Sequence, residues 1–281
     1  MTDLIVGCGI VTLACALMFA ATVRFVRKRH PRQIRVAGVV VILVLAWFLI
    51  WGSESSVWSR LLPLSNLVVI GNLVPYCGAV LAGLAWVTSP GSRTRRSIPV
   101  VAIAVLGMFA LVKPMLGQPP PCRDEWVDGI CLQSSSVTCT AASAATLLRE
   151  HGIAATEAEM AKLCLTRKGT GWKGLFRGLM LKTQGTDWTV RVREVSFESL
   201  RHERGPLILD VGVPLGAQVP EIYTTDYGWQ PGVLHSVIFY GFHTDRVAIA
   251  EPTPGVGREE WSAEDLRILF RGRVYELAKR R

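Results

Sequence analysis

The chain has 281 residues, 50% hydrophobic and 19% charged, with a mean hydropathy of +0.33, high for a protein without membrane segments. Residues 1–118 hold eleven Lys/Arg against two acids, Asp3 and Glu54, while residues 119–281 hold twenty of each sign, so the formal +9 lies wholly in the first part. A pI near 9.5 raises the question of nucleic acid, but the cations fall between apolar runs, and nucleic acid is set aside.

Four apolar runs come first in the chain: Leu4–Val23, Val36–Trp51, Leu67–Val87 and Ile98–Leu116. Crossing a hydrocarbon core of about 30 Å takes roughly 20 helical residues, so the four are read as membrane spans, the second a short one. Trp47, Trp51, Trp58 and Trp86 lie near the expected ends, where interfacial aromatics belong. The basic cluster follows the first run instead of preceding it, which is the wrong order for a signal peptide. Arg24, Arg27, Lys28, Arg29, Arg32 and Arg35 separate runs one and two, and Arg93, Arg95 and Arg96 separate runs three and four. The positive-inside rule puts these in the cytoplasm, so both termini and everything after residue 118 are expected outside it. Asn66, Asn72, Pro75 and the Lys113-Pro114 pair are read as packing and snorkelling features, since no acid lies mid-run to serve a proton path.

Gln118-Pro119-Pro120-Pro121 is a stiff spacer into a second domain, residues 119–281. Its first half reads as helical. Thr140–Glu150 is rich in Ala and Leu, Thr156 with Glu159 forms a capping box for a helix through Leu163, and Leu175–Lys182 is a third helix. The second half reads as strands at Trp188–Val195, Pro206–Val211, Ser236–Phe242 and Arg246–Ala250, the last two joined by a turn at His243–Asp245. Ser262 and Asp265 cap a short helix before a closing strand, Gly272–Leu277. The fold class expected is four transmembrane helices followed by an α+β domain with helices packed on an antiparallel sheet.

Within that domain one set of residues has the parts of thiol chemistry. Cys139 precedes the Ala-rich helix, whose free N–H groups and dipole favour a thiolate. Gln133 lies six residues upstream and can bring a side-chain amide to the same spot. His235 begins one strand and Glu251 ends the next, and a hairpin turning at 243–245 returns Glu251 toward His235. The stretches Gln133-Ser-Ser-Ser-Val-Thr-Cys139-Thr-Ala-Ala-Ser, His235-Ser-Val-Ile-Phe-Tyr-Gly-Phe and Ala250-Glu251-Pro252-Thr-Pro-Gly255 together resemble the papain-like double-glycine, or bacteriocin-processing, leader peptidases over about residues 120–278. The resemblance implies a papain-like cysteine peptidase domain. Cys139 would be its nucleophile, His235 its general base and acid, Gln133 an oxyanion donor beside the Cys139 N–H, and Glu251 the orienting acid where the family usually has Asp. It implies a peptide or protein substrate and no cofactor. Val213–Gly232 is longer than the family's equivalent. Family members are commonly fused to an ATP-driven exporter. No ATPase motif occurs in this chain, so a separate exporter partner is left open.

The other cysteines and histidines are read as structural. Cys8, Cys15 and Cys77 lie in apolar runs. Cys122, Cys131 and Cys164 are candidates for one disulfide, with Cys131 one member and the pairing open. His151, His202 and His243 are read as solvated, and no Cys/His spacing suggests zinc. Two main readings remain from the sequence: a membrane-anchored cysteine peptidase, and a catalytically inactive peptidase-like module that binds peptides or partners at the membrane surface. An acyl or amide transferase on the same scaffold is a third, weaker one.

Overall fold

A long apolar stretch satisfies its backbone groups most completely as a helix, and the apolar runs of the first 116 residues are helical. A computed structural model describes residues 1–280. The chain divides into two units, Met1–Leu116 and Gly117–Arg281. The first contains α1 (Thr2–Val26), α2 (Pro31–Ile50), the short α3 (Val57–Leu61), α4 (Leu67–Ile70), α5 (Leu73–Thr88) and α6 (Arg93–Val112). Four segments, Thr2–Val26, Pro31–Ile50, Leu67–Thr88 and Arg93–Met115, are long and apolar enough to cross a membrane.

The short second run gains its length from its basic flank. Pro31 opens α2, His30 caps it, and Gln33 closes a capping box, so Arg32 and Arg35 belong to the helix. Likewise Ser92 caps α6, and Arg93, Arg95 and Arg96 lie in its first turn. The third run, expected as one helix, is broken between α4 and α5. Asn72 is the reason. Its Oδ1 accepts from the Val74 N–H at 3.1 Å and its Nδ2 donates to the Ala110 carbonyl at 3.1 Å, so it caps α5 and ties it to α6. Pro75 then sits in the first turn, where its missing N–H costs nothing. The packing role expected of Asn66 and Asn72 is what they perform, Asn66 donating to the Asp3 carbonyl at 3.3 Å.

The second unit is α+β. It begins with a small hairpin, β1 (Trp126–Val127) and β2 (Ile130–Cys131), then α7 (Cys139–Glu150), α8 (Glu157–Leu163) and α9 (Trp172–Lys182). There follow β3 (Trp188–Glu194), α10 (Phe197–Leu200), β4 (Leu207–Val211), α11 (Ile222–Thr225), β5 (His235–His243), β6 (Arg246–Glu251), β7 (Gly257–Ser262), α12 (Ala263–Leu269) and β8 (Phe270–Lys279). One antiparallel six-stranded sheet runs β3-β8-β4-β5-β6-β7. The closing strand β8 is thus inserted between β3 and β4. β7 was not expected, because Gly257-Arg-Glu-Glu-Trp-Ser262 lacks an apolar alternation. It forms because β6 offers an edge, and Glu251 pairs with Gly257.

One face of the sheet carries Leu209, Val211, Val237, Phe239, Ile249 and Val274, all essentially inaccessible. On the helix side, α7 lies against β5, and every residue from Cys139 to Leu148 is buried. Its Ala and Ser content allows this, since small side chains let a helix approach a sheet closely from all sides. Thr140 and Ser143 fasten it: their hydroxyls meet the Ser236 hydroxyl and carbonyl, each at 2.9 Å.

Candidate active site

Cys139 is the first residue of α7. The N-cap, Thr138, does not cap the helix with its side chain; its Oγ1 accepts from the Ser135 N–H at 3.1 Å and donates to the Ser135 carbonyl at 3.0 Å. The first-turn N–H groups, which have no partner inside a helix, therefore remain directed at the Cys139 end. Thr140 Oγ1 lies 3.9 Å from the thiol sulfur, and His235 and the Ser236 N–H both act to lower the thiol's proton affinity.

His235 opens β5, and its Nε2 lies 2.6 Å from Glu251 Oε1 at the end of β6, leaving the other ring nitrogen for the thiol. A β-bulge makes this meeting possible. Phe242 pairs with Val247 and Gly241 with Ala248, but the register shifts between Phe239 and Gly241, so Phe239 pairs with Ile249 and Ile238 with Ala250. Continued one residue, the shifted ladder puts Glu251 opposite Val237, on the parity of His235; unshifted, it would oppose Ile238 on the other face. Gly241 adopts φ +146° there, a conformation suited to glycine. The ring of His235 is also met edge-on by Trp229, at 5.7 Å between centroids.

Glu251 is 6% exposed, and its Oε1 accepts from three donors: His235 Nε2, Thr253 Oγ1 at 2.7 Å and the Thr253 N–H at 3.0 Å. Burial alone would push this carboxyl up, but the His235 hydrogen bond and charge, with the Thr253 donors, hold it below the usual carboxylate value. Burial would lower His235; hydrogen bonds to Cys139 and Glu251 and their charges instead raise it to about 10. Burial would likewise raise Cys139, yet His235, the Ser236 N–H and Thr140 bring it below the ordinary thiol value.

Gln133 reaches the same neighbourhood through its backbone, its N–H donating to the Pro252 carbonyl at 2.7 Å in the turn after Glu251. Its Oε1 is buried without a partner among the described residues. The next residue is clamped as well: Ser134 gives its N–H to Glu157 Oε1 at 2.6 Å and its hydroxyl to Oε2 at 2.5 Å, the carboxylate being wholly buried. All four predicted residues are therefore gathered around the α7 N-terminus and the β5–β6 end.

Three expectations need correction or extension. No disulfide forms among the described residues, and all seven cysteines are thiols. Cys122 donates to the Pro120 carbonyl at 3.4 Å, Cys131 is fully buried, and Cys164 is wedged where a Cβ at Gly178 would collide with its sulfur. Burial pushes Cys122 up to about 11 and Cys131 and Cys164 up to about 12, with Glu157 adding to the first two. Of the second unit's four thiols, Cys139 alone is shifted down. His151 is not simply solvated: Nδ1 bonds the Leu147 carbonyl at 2.8 Å and the ring packs edge-on against Trp188 at 4.5 Å. His202 and His243 are exposed. Sequence reasoning also missed Thr253, Trp229 and the Ser236 bolt. Thr253 had a signal, being the polar residue between two prolines directly after the acid. The other two had none.

The chain is similar to C39-type, double-glycine peptidase domains. One is the peptidase domain of Streptococcus ComA, described as a bi-functional ABC transporter involved in a quorum sensing pathway, at 18% identity and a TM-score of 0.42, covering 54% of this chain and 98% of that one. Another is a double-glycine-motif protease from an AMS/PCAT transporter, solved in complex with the leader peptide, at 16% and 0.41, covering 57% of this chain and 95% of that one. A third is the N-terminal peptidase C39-like domain of a toxin secretion ATP-binding protein from Vibrio parahaemolyticus, at 11% and 0.37, covering 52% and 100%. No protein-family model matches the chain, and no curated protein matches it as a relative.

Proposed function

We propose that the chain is a membrane-anchored cysteine peptidase acting on a peptide or protein outside the cytoplasm. The observation that carries this reading is the line Cys139–His235–Glu251. It joins a thiol shifted down at a helix N-terminus, an imidazole raised to about 10, and a buried carboxylate 2.6 Å from its Nε2. Between the two shifts the pair rests as thiolate and imidazolium.

The chemistry follows from those charges. The Cys139 thiolate attacks the carbonyl carbon of the scissile bond, and the Cys139 N–H and the Gln133 amide take the resulting oxyanion. The His235 imidazolium gives its proton to the leaving amine, and the neutral ring then takes one from the water that hydrolyses the thioester. Glu251 holds the ring in the orientation both transfers need. The cations at the α1–α2 and α5–α6 ends favour the cytoplasmic side by the positive-inside rule, which supports a peptidase facing outside.

An activity-based thiol probe applied to the full chain tests the reading. Labelling at Cys139 that disappears in Cys139→Ala, with hydrolysis of a peptide library lost in the same variant, is the expected result. A wild-type Cys139 no more reactive than an ordinary thiol would leave the inactive binding module in its place.

A further inference from the structure

Glu251 is a long acid for an orienting role. Its side chain has three rotatable bonds, and unrestrained it spreads over several rotamers, only some of which reach His235. Restraint is at hand in the turn that follows. β6 ends at Glu251, Pro252 leaves the ladder, and the Val256 N–H closes back on the Thr253 carbonyl at 3.1 Å before β7 begins at Gly257. Thr253 is thereby held beside the acid, and it gives both its N–H (3.0 Å) and its hydroxyl (2.7 Å) to the one carboxylate oxygen that meets His235. Thr is β-branched and stiff at χ1, so the hydroxyl is a rigid donor. The carboxylate is 6% exposed, so water is a poor substitute.

We propose that Thr253 is a positioning residue, which pins the Glu251 carboxylate against His235 and so sets how long the thiolate–imidazolium pair survives as pH rises. This rests on the peptidase reading of the site. The alternative is that Thr253 merely closes the turn. The two differ in what happens to His235. The titratable groups facing its ring are Cys139 from α7 and Glu251 from β6, while Trp229, from the preceding loop, does not titrate. If the hydroxyl pins Glu251, removing it lets the carboxylate swing away and His235 loses its proton at lower pH. If the hydroxyl only drains charge from a carboxylate that stays put, removal makes the acid a stronger partner and His235 holds its proton longer. If it only closes the turn, the titration does not move.

The test uses the detergent-solubilised full chain and iodoacetate, with alkylation of the Cys139 peptide followed by mass spectrometry against pH. The anionic reagent reacts fastest while the imidazolium is present, so the alkaline fall reports His235 and no substrate is needed. In Thr253→Val that fall is expected to move down by about one pH unit, a tenfold weaker hold on the proton. Thr253→Ser should superpose on wild type. Thr253→Ala serves as a second variant should the valine perturb folding, and melting temperatures accompany each profile. A fall that stays in place or moves up in both hydroxyl-less variants overturns the proposal while leaving the peptidase reading intact. A wild-type Cys139 that shows no accelerated alkylation removes that reading and the proposal with it.

Discussion

The two units of this chain solve the burial problem in opposite directions. In the first, whose four long helices are apolar enough to cross a membrane, large apolar side chains face outward: Ile5, Leu13, Leu106 and Phe109 are all more than half exposed. Its polar contacts between helices are single hydrogen bonds, such as the one from Asn72 to the Ala110 carbonyl. In the second, the apolar residues are enclosed, and the carboxylates taken inside with them, Glu157, Glu251 and Asp210, each meet donors. The difference teaches where chemistry can be built. A group whose proton affinity must be shifted needs a dry site with specific partners, and the sheet-and-helix unit supplies one.

That contrast predicts a steep gradient of mutational effects. Cys139→Ala and His235→Ala should each lower peptide hydrolysis by about 10⁴-fold or more, while melting temperature stays near wild type. Gln133→Ala should cost about 10²–10³ in kcat, because the backbone donor remains, read from initial rates under saturating substrate. A drop as large as that of Cys139→Ala would mean Gln133 supports the fold of the site.

Glu251→Gln should keep measurable activity and Glu251→Ala lose more, since only the former leaves an acceptor for Nε2. The pH profile carries the sign. His235 is raised, so the pair's stability is complete below its unfolded value and disappears as pH climbs through about 10. Glu251 is lowered, so its share is present above the unfolded carboxylate value and fades as pH falls through the folded one. Replacing Glu251 should bring the alkaline limb down and leave the thiolate's acid limb in place. Full activity in Glu251→Ala would break the assignment.

Two stability measurements sharpen the comparison at its small end. Phe239→Ala, in the closed core, should cost about 3–5 kcal/mol in chemical denaturation. Asn72→Leu, which removes a helix-to-helix hydrogen bond in the first unit, should cost nearer 0.6 kcal/mol by the same method. Equal costs would mean that the first unit's polar contacts matter as much as the second unit's core.

Much of this was legible in the residues. Apolar runs of membrane length, the basic stretches that separate them, the Ala-rich helix behind Cys139 and the Ser262–Asp265 cap are local patterns, set by side chains close together in sequence. The break at Asn72 was half-legible: Asn and Pro were noticed, but which helix would accept the amide depends on a partner 38 residues away. β7 was invisible because its strand character comes from the edge of β6 and not from its own side chains.

By itself, then, the sequence determined the four apolar runs, the order of α7–α9 before the strands of the main sheet, and which residue types are available for thiol chemistry, because each depends on composition or on neighbours within a turn or a hairpin. Tertiary structure decided the rest. The bulge at Phe239–Gly241 chooses the face on which Glu251 emerges, the insertion of β8 between β3 and β4 completes the sheet that backs α7, and the Ser236 bolt holds Cys139 beside His235. Burial pushes Cys131 up to about 12, while Cys139, also buried, is brought below the ordinary thiol value by partners that come from a strand about a hundred residues away.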